Sequence, residues 1–235
     1  MSKLLLLSNS TMPGTSFFTW PKPYVKGFLG DRVREVVFIP FAAVTISFDA
    51  NEDAVAKAFD AIGYKVRSVH RGKDKKALIN DAQAIVVGGG NTFALVNRMY
   101  EWDLMGVVRA KVGGNTPYIG WSAGANLACP TLKTTNDMPV VMPQSFEALN
   151  LVPFQINPHY HELKFENQGG ETRKERLQEF LLLNPAARVI GLPEGMFILR
   201  DGDKMRVGGD GTAKLYAAGN PVVDLRPDTD ISFLI

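Results

Sequence analysis

The chain has little cysteine and no long apolar run, and these shortages exclude several classes of protein. A single cysteine, Cys129, excludes an intrachain disulfide and fits a reducing compartment. No apolar run approaches the roughly 20 residues that a membrane-spanning helix needs. The four leucines of Leu4–Leu7 are too few for the apolar region of a signal peptide, and polar residues follow them directly. We therefore expect a cytoplasmic protein that does not enter a membrane.

An excess of charge of either sign is also missing. The 26 Lys and Arg residues against 24 Asp and Glu residues leave a formal net charge of +2, so no nucleic acid or membrane surface is expected as a partner. Hydrophobic residues make up 46% of the chain and charged residues 21%, as in ordinary globular proteins. Without a linker, repeat or low-complexity tract, residues 1–235 are expected to form one domain.

Short apolar runs alternate with amphipathic stretches along the chain. The runs expected to form strands are Leu4–Ser8, Glu35–Phe41, Lys65–His70, Ala84–Val87, Tyr118–Trp121, Phe154–Asn157 and Val189–Leu192. The expected helices are Ala54–Ile62, Thr92–Lys111 and Thr172–Leu183, the last with a capping box formed by Thr172 and Glu175. Several strands are apolar on both faces, which is typical of a parallel sheet covered by helices.

The sequence pattern changes from Met196 onward, where short apolar runs are separated by Asp-Gly, Gly-Asp-Gly and Gly-Asn-Pro turns. Such turns indicate antiparallel strands. The whole pattern predicts an α/β fold. Its sheet is mostly parallel and flanked by helices on both faces, with short antiparallel strands at the C-terminus.

The most informative motif is Gly120-Trp121-Ser122-Ala123-Gly124, which follows a predicted buried strand and opens a helix. This arrangement is typical of a nucleophile elbow, in which a serine occupies a turn too tight for neighbouring side chains. Gly120 and Gly124 leave the required room. Ser122 is therefore a candidate nucleophile, provided that partners lie nearby.

Two further strand ends carry groups that suit a serine nucleophile. His159 comes after the strand Phe154–Asn157 and Pro158, and Glu194 comes after the strand Val189–Leu192 and Pro193. Functional groups of open α/β sheets gather at the carboxyl ends of the strands. We expect His159 to act as a base and Glu194 to orient it. The chain order Ser, His, Glu differs from that of α/β-hydrolases and requires another fold.

A hydrolase of this kind needs two N–H donors for the oxyanion. The N–H of Ala123, next to the candidate nucleophile, is one candidate. The second is expected from Gly88-Gly89-Gly90-Asn91-Thr92, where a strand runs into three glycines and then a helix. A phosphate-binding loop is the less favoured alternative because the spacing of nucleotide-binding motifs is missing. A plain tight turn also fits.

Two other kinds of catalysis are open. His159-Tyr160-His161 places two imidazoles on one face of a strand beside Glu162, so a metal site is conceivable if His70 or a carboxylate supplies a third ligand. Cys129 is a possible nucleophile, but it lies after the elbow rather than on it. A non-catalytic binding protein is a third possibility, which the combination of Ser122 and His159 with candidate carboxylates disfavours.

Several motifs closely resemble the peptidase E family of α-aspartyl dipeptidases. The similar segments are residues 4–11, 38–42, 88–93, 120–126, 134–139, 155–159 and 191–195. The resemblance implies a serine peptidase on a fold similar to class I glutamine amidotransferases. It implies cleavage of dipeptides, and of some amides and esters, that begin with aspartate, without metal or cofactor. By motif, Ser122 corresponds to the nucleophile, His159 to the general base, and Gly90 and Ala123 to the oxyanion donors.

The resemblance leaves two candidates for the residue that orients the base. Glu194 matches the glutamate usually assigned, whereas Asp137 lies in a loop that could bring its carboxylate to the histidine. For the substrate, Arg173 matches the arginine that the family is thought to use for the aspartyl carboxylate, because a guanidinium suits a carboxylate best. Asn91 is expected to add a hydrogen bond, and Glu171 is a weaker candidate for the substrate ammonium.

One departure from the family concerns the residues before Gly170-Glu171-Thr172-Arg173. Family members carry a His-Lys pair there, and this chain has Gln168-Gly169. The departure leaves room for an altered substrate range, such as β-aspartyl or cyanophycin-like peptides. No heptad pattern or interface helix indicates an oligomeric state.

Overall fold

The computed structural model describes residues 2–163 and 169–235. Its strands are β1 (Lys3–Leu7), β2 (Glu35–Ile39), β3 (Lys65–Ser68), β4 (Ile85–Val87), β5 (Tyr118–Trp121), β6 (Gln155–Pro158), β7 (Arg188–Leu192), β8 (Met196–Asp201), β9 (Lys204–Gly209), β10 (Ala213–Ala217) and β11 (Val223–Leu225). Its helices are α1 (Lys22–Leu29), α2 (Phe48–Asp60), α3 (Lys75–Asn80), α4 (Thr92–Glu101), α5 (Met105–Gly113), α6 (Ala123–Leu127) and α7 (Arg173–Leu183). Gln168, where the chain departs from the family pattern, lies outside the described residues.

The described strands form two sheets. The larger sheet has the order β3-β2-β4-β5-β1-β8-β9, in which the first five strands are parallel and β8 and β9 are antiparallel. The smaller sheet has the order β11-β10-β7-β6, and only β6 and β7 are parallel. The expected α/β architecture with antiparallel strands near the C-terminus is therefore confirmed.

The strands that precede the candidate base and acid lie in the smaller sheet, whereas a single sheet carrying all three strand ends was the expectation. The physical reason is that β8 returns antiparallel beside β1, with Leu4 opposite Arg200, and occupies the position where the parallel set could have continued. Strands β6 and β7 therefore pair with each other and with β10.

The larger sheet is buried on both faces. Along β1, Leu4 and Leu6 belong to one apolar cluster, and Leu5 and Leu7 belong to another. This alternation explains why the strands are apolar throughout. Within the described ranges, no helix combines the length and apolar character that crossing a bilayer requires.

The expected helix Thr92–Lys111 is two helices, α4 and α5. Between them Asp103 takes a left-handed backbone with φ 48°, and the next residue, Leu104, is fully buried. The turn redirects the chain so that both helices bury an apolar side. The capping box at α7 is confirmed, since Thr172 Oγ1 accepts from Glu175 N at 3.2 Å and Glu175 Oε2 accepts from Thr172 N at 2.7 Å.

Candidate active site

Ser122 stands on a strained turn between β5 and α6. Its backbone has φ 53° and ψ −114°, outside the usual regions for a residue with a side chain. A Cβ on Gly120 would collide with the carbonyl oxygen of Gly124, and a Cβ on Gly124 with that of Val87. Both glycines are therefore required for the turn, as the motif predicts.

His159 and Glu194 follow the two parallel strands of the smaller sheet. Pro158 of β6 is in register with Leu192 of β7, so the residues just beyond both strands are neighbours. His159 Nδ1 lies 2.7 Å from Glu194 Oε1, and His159 Nε2 lies 2.9 Å from Ser122 Oγ. The site thus joins a hydroxyl from the larger sheet to an imidazole and a carboxylate from the smaller one.

Asp137 lies at the beginning of α4 and not beside the imidazole. Its Oδ2 accepts hydrogen bonds from Thr92 N at 2.7 Å, Thr92 Oγ1 at 2.6 Å and Thr135 Oγ1 at 3.0 Å. A carboxylate is well placed there because the helix N-terminus is electropositive. Of the two candidate carboxylates, the structure brings Glu194 to His159.

The glycine loop after β4 passes directly beside the serine. A Cβ on Gly89 would lie 3.1 Å from Ser122 Cβ, and a Cβ on Gly90, whose φ is 138°, would collide with the carbonyl oxygen of Ala42. Within the described ranges, no hydrogen-bond acceptor faces the N–H of Gly90 or of Ala123. Two free amides near the hydroxyl suit a developing oxyanion.

Three consecutive residues at the end of β1, to which the sequence analysis assigns no role in the site, contact all three parts of it. Leu7 O accepts from Ser122 N at 3.1 Å. Buried Ser8 Oγ accepts from His159 N at 2.8 Å and donates to Leu192 O at 2.8 Å. Asn9 Oδ1 accepts from the N–H of Gly195, the residue after Glu194, at 3.0 Å. The sequence signals are that these residues belong to the family-like segment 4–11 and that polar residues follow an apolar strand directly.

A second set of hydrogen bonds, buried or partly buried, connects β6 to the loop that contains Thr134 and Asn136. Asn157 Nδ2 donates to Thr134 O at 2.9 Å and to Asn136 Oδ1 at 2.8 Å. Asn136 Nδ2 in turn donates to Pro158 O at 2.7 Å, next to His159. The backbone that carries the imidazole, itself left-handed with φ 53°, is therefore fixed from two directions.

Arg173 is the first residue of α7 and is only partly exposed. Burial, and secondarily the charge of Arg176, lowers the pKa of its guanidinium. Its Nε is buried without a hydrogen-bond partner, and no carboxylate of the described residues forms an ion pair with it. The nearby Glu171 faces Arg176 at 3.9 Å instead. Arg173 is therefore a half-buried cation that forms no ion pair with a carboxylate of residues 2–163 or 169–235.

His161 belongs to the same region. Its Nδ1 is buried and has no hydrogen-bond partner among the described residues, and its pKa is lowered first by burial and then by the charge of Arg173. The imidazole is therefore predominantly neutral at neutral pH. Arg173 thus lies close enough to His161 to act on its charge, and His161 is two residues beyond His159 in the chain.

The side chain of Asn91 is used mainly within the protein. Its Oδ1 accepts from Ala94 N at 3.0 Å as the N-cap of α4, and its Nδ2 donates to Met138 O at 2.8 Å. Substrate contacts from this position are limited to the remaining N–H of the amide and to the backbone.

The arrangement disfavours a metal at the candidate site, because both ring nitrogens of His159 already face Ser122 and Glu194. Another group, Asp49, Glu52 and His70, has possible ligand atoms within 4.8 Å of one another. Arg71 contacts both of its carboxylates, with Nη2 2.8 Å from Asp49 Oδ1. An ion-pair network with Arg71 therefore explains this cluster without a metal ion.

Cys129 is unsuited to nucleophilic attack. Its side chain is fully buried, and its Sγ lies 3.5 Å from the carbonyl oxygen of Ala125. Burial raises the pKa of the thiol to about 12. The thiolate form, which is the reactive one, is scarce at neutral pH.

Comparison with known proteins gives consistent matches. Residues 4–208 match the model of peptidase family S51. "Peptidase E" of Nostoc sp. (strain PCC 7120) is 47% identical over 236 residues, covering 100% of this chain and 98% of the relative. "Peptidase E" of Haemophilus influenzae is 45% identical over 210 residues, covering 88% and 96%.

Solved structures share the fold. A peptidase from an acI-B1 actinobacterium superposes with a TM-score of 0.74 at 19% identity, covering 99% of this chain and 97% of that one. A putative peptidase E from Listeria monocytogenes EGD-e gives a TM-score of 0.67 at 22% identity, covering 90% and 100%. Identities this low support the shared architecture only.

Proposed function

The chain belongs to peptidase family S51, and from that premise we propose that it is a serine peptidase that hydrolyses dipeptides with an N-terminal aspartate. One observation carries the chemical part of the proposal, namely the continuous contact from Ser122 Oγ through His159 to Glu194 at 2.9 and 2.7 Å. A serine hydroxyl, an imidazole and a carboxylate in this order activate a nucleophile.

In the proposed reaction, Ser122 Oγ attacks the carbonyl carbon of the aspartyl residue while His159 Nε2 takes the hydroxyl proton. The N–H groups of Gly90 and Ala123 stabilise the oxygen of the tetrahedral intermediate. His159 then returns the proton to the leaving nitrogen, and the C–N bond breaks to leave an aspartyl ester on Ser122. Water, activated by the same imidazole, hydrolyses the ester and restores the hydroxyl.

Glu194 is the proposed third member. A carboxylate 2.7 Å from Nδ1 fixes the tautomer in which Nε2 can accept the proton, and it stabilises the imidazolium that forms. The position of Asp137 at the N-terminus of α4 supports a different role for that residue, which is to hold the loop after β5 and α6 against α4.

The preference for aspartate is proposed to come from Arg173. A half-buried guanidinium that is unpaired with any carboxylate of the described residues binds a carboxylate favourably, because part of the desolvation of the cation has already occurred in the free protein. The substrate's side-chain carboxylate supplies the missing charge, and His161 Nδ1 offers a further hydrogen-bonding atom beside it. Glu171 and Asn91 remain proposed secondary contacts.

We also infer the domain organisation, the compartment and the partners of the enzyme. We infer one domain over residues 1–235 that acts in the cytoplasm on small peptides, without nucleic acid as a partner. The near-neutral net charge of +2 and the single buried cysteine support this setting.

A substrate panel tests the proposal. We expect hydrolysis of Asp-Leu far above that of Ala-Leu and Glu-Leu, and no loss of activity with a chelator such as EDTA. Ala-Leu tests the need for the carboxylate, and Glu-Leu tests its distance from the α-carbon. Hydrolysis of β-Asp-Leu in preference to Asp-Leu would replace the α-aspartyl proposal by a β-aspartyl one, and inhibition by EDTA would contradict the metal-free mechanism.

A further inference from the structure

A cavity of about 350 Å³ lies next to the candidate oxyanion loop. One wall is formed by residues 42–46 after β2 together with buried Asn51, the floor by Gly89, Gly90 and Asn91, and the opposite wall by Asp137 and Val140. Its volume falls at the lower end of the roughly 300–1,000 Å³ that is common for small-molecule sites. A cavity of this size suits part of a dipeptide.

The cavity adjoins the nucleophile through the glycine loop. Gly89 lines it and also passes so close to Ser122 that an added Cβ would lie 3.1 Å from Ser122 Cβ. Gly90, the proposed oxyanion donor, lines it as well. A peptide bound with its carbonyl carbon at Ser122 therefore has this cavity within reach.

Both walls are fixed to α4. Arg98 donates from Nη1 to Phe41 O at 2.6 Å and to Ala43 O at 2.7 Å, which holds the first wall. Asp137 accepts from Thr92 N, and Asn91 Nδ2 donates to Met138 O, which together hold the second. The cavity is therefore formed before any ligand binds, and a ligand need not order its walls.

The walls present apolar side chains to solvent. Val44, Ile46 and Val140 are 51%, 52% and 57% exposed, although branched aliphatic residues of this kind usually lie inside. The one carboxylate of the lining, Asp137, is occupied by Thr92 and Thr135. Arg173 and its neighbour His161 are not part of the described lining. The cavity thus suits an apolar group and not the aspartyl carboxylate.

We propose that this cavity, the leaving-residue pocket, binds an apolar side chain of the residue that follows aspartate in the substrate. The inference rests on the proposed function, which assigns the aspartyl side chain to Arg173. In a hydrophobic pocket one methylene group changes kcat/KM by about 10- to 200-fold. Asp-Leu is therefore hydrolysed with a kcat/KM at least about tenfold above that of Asp-Ala.

A charge introduced into the pocket tests the inference by a gain of specificity. Ile46→Asp places a carboxylate on one wall, and Val140→Asp places one on the other. The matched control is Val223→Asp on strand β11, because Val223 is 51% exposed, close to the 52% of Ile46 and the 57% of Val140, and is not part of the lining. Asp-Leu, Asp-Lys and Asp-Ala are compared by kcat/KM in all three variants and in the wild type.

The pocket variants are expected to raise the ratio of Asp-Lys to Asp-Leu hydrolysis at least about tenfold, since the new carboxylate attracts the lysine and penalises the leucine. The control keeps the wild-type ratio. An unchanged ratio in both pocket variants, or a wild type that cleaves Asp-Ala as well as Asp-Leu, overturns the pocket. Failure of the wild type to cleave any of the three peptides, Asp-Ala included, instead overturns the proposed function.

Discussion

The two halves of the candidate site differ in how their polar atoms are satisfied. In the chemical half, made of Ser122, His159 and Glu194, each functional atom faces a partner, and the end of β1 supports all three segments. In the recognition half, made of Arg173 and His161, a buried nitrogen atom of each side chain has no hydrogen-bond partner among residues 2–163 and 169–235.

This difference indicates what each half does before substrate arrives. An unsatisfied buried polar group costs about 1–3 kcal/mol, and a ligand that pairs with it recovers part of that cost. The chemical half is complete in the free protein and needs no rearrangement to react. The recognition half pairs with no carboxylate of the described residues, and the substrate carries the anion that we propose for it.

The largest expected effect on kcat comes from removing the nucleophile, which disables the chemical half and leaves the recognition half in place. Ser122→Ala should lower kcat for Asp-Leu by about 10,000-fold or more, because the acyl-enzyme cannot form. The recognition half remains intact, so the variant should still bind Asp-Leu in equilibrium dialysis. Turnover within tenfold of the wild type would contradict the serine mechanism.

A smaller effect tests whether the end of β1 positions the base. Ser8→Ala should lower kcat by about 10- to 100-fold with little change in KM, because the backbone of His159 loses an anchor while the recognition half is untouched. Both kinetic constants are measured with Asp-Leu.

The matched control for that experiment is Ser68→Ala. Ser68 is also buried, and its Oγ lies 2.6 Å from His70 Nδ1 in another part of the fold. Both variants should lose about 1–3 kcal/mol in the free energy of unfolding, but only Ser8→Ala should lose kcat. Equal kcat values in the two variants would contradict a positioning role for Ser8 and would show that its contribution is to stability alone.

The smallest expected effect concerns the pH dependence of the recognition half. The pKa of His161 is lowered from its ordinary value of 6.5, so the unfolded chain binds more protons than the folded one as pH falls through that value. The free energy of unfolding therefore decreases on the acid side.

His161→Asn should remove that contribution, so Tm should fall less between about pH 7 and pH 5 than it does in the wild type. The other titrating groups contribute equally to the pH dependence of Tm in both proteins, so their contributions cancel in the comparison. Parallel Tm curves would show that the environment of His161 does not disfavour its charged form.

The sequence predicts the residues of the chemical half better than their placement. Ser122, His159 and Glu194 follow apolar strands, and this local pattern identified them as candidates. It gave no information that β6 and β7 leave the main sheet, because pairing of β8 with β1 joins residues nearly 200 positions apart in the chain, such as Leu4 and Arg200. Long-range pairing of this kind leaves no periodic signal in the sequence.

Other features depend equally on distant partners. Motif comparison left Glu194 and Asp137 as alternatives, and only their surroundings separate them, since Asp137 meets the N-terminus of α4. The roles of Ser8 and Asn9 depend on loops more than 150 residues away in the chain, namely those of His159 and Gly195. Similarly, the break between α4 and α5 follows from a left-handed Asp103, which no turn motif announced.

We propose that the aspartyl carboxylate of the substrate supplies the anion with which Arg173 is not paired among the described residues. The most direct test of this central claim compares Asp-Leu with the neutral isostere Asn-Leu in the wild type and in Arg173→Met, with Tm measured alongside. Loss of one partner of a desolvated charge pair costs about 2–5 kcal/mol, so kcat/KM for Asp-Leu should fall about 30- to 4,000-fold.

In Arg173→Met the preference for Asp-Leu over Asn-Leu should collapse toward unity, while Tm stays equal or rises because a half-buried unpaired charge is gone. A preference that survives the substitution, or a loss of Tm that accompanies the loss of activity, would contradict the account.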